Sequence, residues 1–288
     1  MTRDTRQKIY ILALNFAIQV FRIIFKITFV SRIAYKHAHD LKLTEHKFYF
    51  ESLPLEFDGY KILFLTDIHA DKVQNIEARL LEIIDRVEFD ICTLGGDYAH
   101  RYKGKNIQIV KNFASNLIAR IKFKGKEIYG ILGNHDIYAF GQFLEESGVK
   151  MLINESVKIE KNKACIYLSG IDDASYYRTH DFYSCEEGID TSDPFKILLS
   201  HTPDTYKQAD KFHYLLSLNG HTHGGQICLP GGIPVVTNTK APRRMAKGYW
   251  KFKGLQGITS NGIGCSGFTG RLFCPPEVIT ITLKRASE

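Results

Sequence analysis

Lys61-Ile62-Leu63-Phe64-Leu65-Thr66-Asp67-Ile68-His69 reads as a buried strand that ends in a carboxylate and an imidazole. The same design recurs four more times. ICTL (91–94) leads to Gly95-Gly96-Asp97, and IYGIL (128–132) leads to Gly133-Asn134-His135-Asp136. FKILL (195–199) leads to Ser200-His201, and YLLSL (214–218) leads to Gly220-His221-Thr222-His223. Each polar cluster therefore sits at the tip of an apolar strand, where side chains from distant parts of the chain can converge. Helical patterns fall between the early strands. Residues 75–87 place Ile76, Leu80, Ile83, Ile84 and Val87 on one face, and residues 108–121 do the same with Ile109, Phe113, Leu117 and Ile121. Further strands are expected over residues 164–170, 255–260 and 278–283, with few long helices among them. The alternation defines an α/β fold.

Asp67, His69, Asp97, Asn134, His201, His221 and His223 form a set of carboxylate, amide and imidazole donors without a thiolate. Such a set suits Mn²⁺, Fe or Zn²⁺ in a reactive site rather than a cysteine-rich structural zinc site. Seven donors exceed the needs of one four-coordinate ion and match two ions that share a carboxylate. Two ions ~3.5–4 Å apart can clamp the attacking and departing oxygens of a phosphoryl displacement.

The ordered motifs D-x-H, G-D, G-N-H-[DE], H and G-H-x-H resemble those of the calcineurin-like metallophosphoesterase superfamily, over roughly residues 60–283. The resemblance implies a sandwich of two packed β-sheets flanked by helices, with the metals at one sheet edge. It also implies roles. Asp67, His69 and His223 would hold one ion, Asn134, His201 and His221 the other, and Asp97 would bridge them. Water activated between two divalent ions, Mn²⁺ foremost with Fe or Zn²⁺ as alternatives, would be the nucleophile. His135 would protonate the leaving oxygen, and Asp136 would orient His135 or neighbouring backbone. Tyr98 stands where many relatives carry an aliphatic residue, which bears on local packing. His180 and His213 read as ordinary surface or satisfied core histidines, and His100 as a solvated loop residue.

A net charge of +7 invites a nucleic-acid reading until it is located. Residues 1–39 hold seven cations against Asp4 alone, whereas the remaining 249 residues hold 31 cations and 30 anions. The catalytic body is nearly neutral, so no nucleic-acid partner is expected. Six dispersed cysteines, with no C-x-x-C pair, read as free thiols in a reducing compartment, although Cys265 and Cys274 are near enough in sequence to be joined.

Residues 9–30 (IYILALNFAIQVFRIIFKITFV) are interrupted at Asn15, Gln19, Arg22 and Lys26, which with Lys8 fall on one helical stripe. This predicts an amphipathic helix lying in a bilayer interface with its cations at the phosphates. Arg22 and Lys26 interrupt the ~20 apolar residues that a span needs, and no small-residue cleavage site follows. The expected organisation is a membrane-anchoring helix and connector over 1–46, its polar linker at 35–46, then a catalytic domain over 47–288 opening with an apolar strand at 48–57. The basic surplus favours the cytoplasmic face of the inner membrane, with peripheral or single-helix attachment.

Arg243, Arg244, Lys247, Lys251 and Lys253 form a basic run interleaved with aromatics shortly after the last donor cluster, and Arg271 lies in a segment resembling the terminal strand pair of the membrane-associated bacterial branch. Arg243, Arg244 and Arg271 are expected to contact a substrate phosphate. Anchor and resemblance together imply a hydrolase of a phosphodiester or pyrophosphate bond in a membrane-held lipid or nucleotide-sugar lipid. The specific candidate is UDP-2,3-diacylglucosamine, cleaved to UMP and lipid X in lipid A synthesis. Phosphodiesterase action on other lipid or nucleotide substrates is the alternative, and a metal-free protein scaffold is the reading from a different class.

Overall fold

The computed structural model describes residues 29–189 and 194–286. The amphipathic helix expected over residues 9–30 therefore lies almost entirely outside the described residues. The described chain runs α1 (Phe29–Ala38), β1 (Lys42–Phe50), β2 (Lys61–Leu65), α2 (Ile76–Arg86), β3 (Ile91–Leu94), α3 (Lys105–Phe123), β4 (Glu127–Gly130), α4 (Tyr138–Glu146) and β5 (Lys150–Met151). It continues with β6 (Glu155–Lys161), β7 (Ala164–Gly170), α5 (Phe182–Glu187), β8 (Lys196–Ser200), α6 (Tyr206–Lys211) and β9 (Leu216–Asn219). After these come β10 (Cys228–Leu229), β11 (Ile233–Pro234), β12 (Gly248–Phe252), β13 (Leu255–Thr259) and β14 (Glu277–Arg285).

Two six-stranded mixed sheets form the body, ordered β1-β14-β2-β3-β4-β5 and β12-β13-β9-β8-β7-β6. Strands β2 to β5 run parallel, as do β7, β8, β9 and β13. Their inner faces meet through Phe48, Ile62, Phe64, Tyr129, Ile166, Ile197, Leu216 and Ile279, among others. The outer face of the first sheet is covered by α2, α3 and α4, which bury Leu80, Ile84, Phe113, Leu117, Ile121 and Leu144. The outer face of the second carries α5 and α6 with Trp250 and Met245. At roughly 1.5–3 kcal/mol for each large apolar side chain buried, these three layers dominate the stability. No helix among the described residues is long and apolar enough to cross a membrane.

Sequence expectations are revised in several places. The polar connector expected over 35–46 is instead the end of α1 and the first half of β1, so the boundary expected at 46/47 falls inside a strand. Strand β1 pairs in parallel with β14 from Lys42↔Glu277 to Phe50↔Arg285. The strand expected over 48–57 stops at Phe50, because Pro54 has no amide to donate and Leu55–Phe57 forms a 3-10 turn. Within α3 the buried stripe starts at Val110, while Ile109 is exposed. All six cysteines are free, Cys265 and Cys274 included.

Candidate metal centre

The parallel strands explain why donors separated by over 150 residues meet. Asp67 and His69 follow β2, Asp97 follows β3, and Asn134 follows β4. His201 follows β8 in the second sheet, and His221 and His223 follow β9. All seven leave the carboxyl edges of strands, the side on which open α/β sheets bind ligands. The backbone there is strained: Asp67, His69, Asp97, His221 and His223 all have positive φ, from 39° to 70°. Left-handed backbone at a non-glycine residue costs on the order of 1–3 kcal/mol and persists where the surroundings enforce it, most often at functional sites. Two motif glycines have a steric reason to be glycine. A Cβ on Gly133 would overlap the Asp97 carboxylate, and one on Gly220 would overlap that of Asp67.

The donors form two adjoining groups. Asp67, His69 and His223 bring one ligand atom each to within 4.8 Å of one another, and so do Asp67, Asp97 and His201. His69 Nε2 lies 3.1 Å from His223 Nε2, and His223 Nε2 lies 3.3 Å from Asp67 Oδ1. Asp97 Oδ2 faces both groups, at 3.5 Å from His69 Nε2 and 3.3 Å from His201 Nε2. Asn134 Oδ1 stands 3.2 Å from His201 Nε2 and 2.7 Å from His221 Nδ1. All seven predicted donors are thus brought together.

The electrostatics favour cations. Burial raises Asp67 to about 6. Burial also raises Asp97, but His201, His69 and His135 outweigh it and hold that carboxyl well below its usual range. Burial lowers His69 and His221 to about 4 and holds His223 well below the ordinary imidazole value, so these rings are neutral electron-pair donors near pH 7. His201 is opposed by burial yet raised to about 10 by Asp97. Converging carboxylate, amide and imidazole donors without a thiolate fit divalent Mn, Fe or Zn.

A supporting layer fixes these groups. Asp136 accepts hydrogen bonds from the backbone N–H of Asp97 (2.7 Å), Gly133 (2.8 Å) and Tyr98 (3.0 Å) and from the Tyr102 hydroxyl (2.6 Å). Of the two orientations expected for Asp136, backbone is the one seen. The Thr66 hydroxyl donates to Asp67 Oδ2 at 2.8 Å, and His201 Nδ1 lies 2.8 Å from the Gly95 carbonyl. Tyr98 is buried, donates to the Ile131 carbonyl at 3.0 Å, and packs on Phe140.

A cleft of about 170 Å³ opens over this centre, lined by Asp97, Asn134, His135, His221, His223, Gln226, Val236 and Asn238 among others. His135 is partly exposed there. Its backbone N–H donates to Asp97 Oδ1 at 2.9 Å and its Nδ1 lies 3.1 Å from the His100 carbonyl, which leaves Nε2 for a ligand. His100 is half-buried and its ring centroid is 4.9 Å from that of His135, so it is not the freely solvated loop residue expected.

The three arginines expected at a substrate phosphate are placed elsewhere. Arg243 and Arg244 are exposed on a 3-10 turn before β12 and do not line the cleft. Arg271 is fully buried. It donates to the carbonyls of Asn261 (2.7 Å), Gly262 (3.1 Å), Gly264, Cys274 and His223, and its Nη2 lies 3.3 Å from His223 Nδ1. It braces a metal-site histidine rather than meeting substrate. Tyr102 and Asn238, the latter with Nδ2 3.4 Å from His221 Nε2, carried no sequence signal, since neither falls in a motif.

With this geometry, the chain belongs to the calcineurin-like phosphoesterases, whose family profile matches residues 60–225. It is a metal-dependent phosphoester hydrolase. It is 31% identical over 229 residues to the metallophosphoesterase YkoQ of Bacillus subtilis (strain 168), covering 75% of this chain and 81% of that protein. A metallophosphoesterase of Aquifex aeolicus (strain VF5) is 27% identical over 266 residues, covering 87% and 95%. The phosphodiesterase YaeI of Escherichia coli (strain K12) is 27% identical over 236 residues, covering 78% and 82%.

Proposed function

We propose that the protein hydrolyses a phosphodiester or pyrophosphate bond in a substrate held at a membrane, on the cytoplasmic face, with Mn²⁺ as the working metal. The observation that carries this reading is the convergence of seven donors beneath a cleft that His135 also lines, its Nδ1 turned to the His100 carbonyl. Asp67, His69 and His223 would hold one cation and Asn134, His201 and His221 a second, with the Asp97 carboxylate shared between the two sets. Two divalent cations there would supply stabilisation of phosphoryl charge and a nucleophile from water at neutral pH.

The chain's own groups do the rest. Asp136 locks the backbone of Asp97, Tyr98 and Gly133, so the bridging carboxylate is fixed before substrate arrives. His135 stands beside Asn134, over the cleft, and gives a proton to the departing oxygen. An imidazole suits that transfer because its ring nitrogen can carry a proton and give it up without a change in the backbone around it. The membrane component of the reading rests on residues 1–39, with seven cations against one anion and an amphipathic stripe.

The specific substrate we propose is UDP-2,3-diacylglucosamine, cleaved to UMP and lipid X. The test is turnover of that lipid in detergent micelles with Mn²⁺, beside bis-p-nitrophenyl phosphate and an Asp97→Ala control. Release of UMP that disappears in the control supports the assignment. Hydrolysis of the model diester alone rejects this lipid and leaves the diesterase.

A further inference from the structure

The hairpin that follows the last metal-site histidine has an unusual surface. Strands β10 and β11 pair Leu229 with Ile233 and Cys228 with Pro234. Cys228 and Pro234 are buried, so the hairpin has an inner face and packs by it. Its outer face is apolar rather than polar: Leu229, Ile233 and Val235 are each more than half exposed, and Phe273 on the neighbouring segment is 51% exposed. Isolated exposed aliphatics are ordinary, but a cluster on one short element marks a surface that meets something apolar. The next residue, Val236, lines the catalytic cleft.

Charge says what that partner is. From residue 211 to residue 276 the chain contains no aspartate or glutamate, while it contains eight lysines and arginines. Among them Lys240, Arg243 and Arg244 are exposed, and Lys247 reaches back to the hairpin tip, its Nζ 3.2 Å from the Gly232 carbonyl. Asp210 pairs with Lys253 and Asp204 accepts from the Lys240 backbone N–H, yet cations remain in excess on this stretch. Apolar side chains beside a cationic excess are complementary to an anionic bilayer, whose phosphates lie above its acyl chains. Helix α1, which follows residues 1–28, is tied to the same place. Arg271 N–H donates to the Ala34 carbonyl at 2.9 Å, Leu272 N–H to Gln226 at 3.1 Å, and Cys228 N–H to Leu272 at 2.9 Å.

We propose that the β10–β11 hairpin is a second membrane-docking element, seated on an anionic lipid surface with Leu229, Ile233 and Val235 at the acyl boundary and Lys240, Arg243 and Arg244 at the headgroups. This extends the reading that the substrate is membrane-held. It seats the cleft at the bilayer, so a lipid's phosphate can reach the metal centre while its chains stay in the membrane. Arg243 and Arg244, displaced from the cleft, thereby acquire a role.

The test uses the full chain. The single native tryptophan, Trp250, is buried (3% exposed), so an indole introduced by Ile233→Trp reports on the hairpin. Vesicles of phosphatidylcholine and phosphatidylglycerol, with or without brominated acyl chains, are the probe, and Phe123→Trp on α3 is the reference position. The expected result is quenching of the hairpin indole and none at the reference. Replacing Arg243 or Arg244 by alanine should weaken vesicle partition roughly fivefold each. Leu229→Asp with Ile233→Asp should slow turnover of a vesicle-borne lipid substrate and leave bis-p-nitrophenyl phosphate turnover unchanged. An unquenched hairpin indole overturns the proposal, whether the protein binds vesicles through another segment, stays in solution or self-associates. Loss of all phosphodiester turnover in the wild-type protein would instead reject the underlying function, so the two failures are distinguishable.

Discussion

Asp97 Oδ2 lies 3.3 Å from His201 Nε2 and 3.5 Å from His69 Nε2, so one carboxylate oxygen of the first sheet's edge faces a histidine from each sheet. Neutralising it removes the carboxylate that, among the described residues, faces both histidines. Asp97→Asn should lower divalent-metal affinity by more than the ~10–100-fold that loss of an outer hydrogen bond costs, and abolish diester turnover. Isothermal titration with Mn²⁺ checks the affinity. Near-wild-type binding would remove Asp97 from the bridging position.

His135 is predicted to matter in proportion to the basicity of the leaving oxygen. His135→Ala should reduce kcat by about 10²–10⁴-fold on an alkyl diester, the usual range for a lost general acid. On bis-p-nitrophenyl phosphate the loss should be much smaller, because p-nitrophenolate departs without a proton. Steady-state kinetics on both substrates decide the point, and equal losses would contradict the assignment.

Arg271 should act through His223 and through the loop it staples. Arg271→Met leaves the buried carbonyls of Asn261 and Gly264 without the donor they have here, each worth about 1–3 kcal/mol if unsatisfied. Thermal unfolding should show a large destabilisation, with Mn²⁺ affinity lowered about 10–100-fold in the protein that remains folded. A variant with unchanged melting and metal binding would show that the brace is idle.

His46 supplies a pH dependence away from the metals. It is half-buried on β1, and burial lowers its pKa from 6.5, with Glu277 opposing. The unfolded chain therefore takes up a proton more readily than the folded one as pH falls through 6.5. His46 costs no stability above that value and destabilises the fold progressively below it, toward its own lower pKa. His46→Gln should make the melting temperature less sensitive to pH between 7.5 and 5.5, in melts of both proteins across that interval. Identical pH slopes would contradict the sign.

The central strands and the donor set were legible because each strand is an apolar run ending in polar residues, a contrast that survives without any tertiary information. The strands that were not legible share a cause. The opening half of β1, β6 and β12 were missed as strands, and all three lie at sheet edges. An edge strand has one unpaired side and much solvent contact, so it carries charge: Lys42, Glu45 and Lys47 in β1, Lys158 and Glu160 in β6, Lys251 in β12. These read as linkers or basic runs. Arg271 was misplaced for another reason. A guanidinium reaching carbonyls of a glycine-rich loop and one reaching a substrate phosphate leave the same trace in sequence, and only burial separates them.

The most direct test of the account is metal stoichiometry joined to activity. Protein purified in Mn²⁺ and analysed by inductively coupled plasma mass spectrometry should hold two ions per chain, with diester hydrolysis lost on chelation and restored by Mn²⁺. Hydrolysis that persists in chelator, or full activity with one ion or none bound, would contradict a two-ion centre built from these seven side chains.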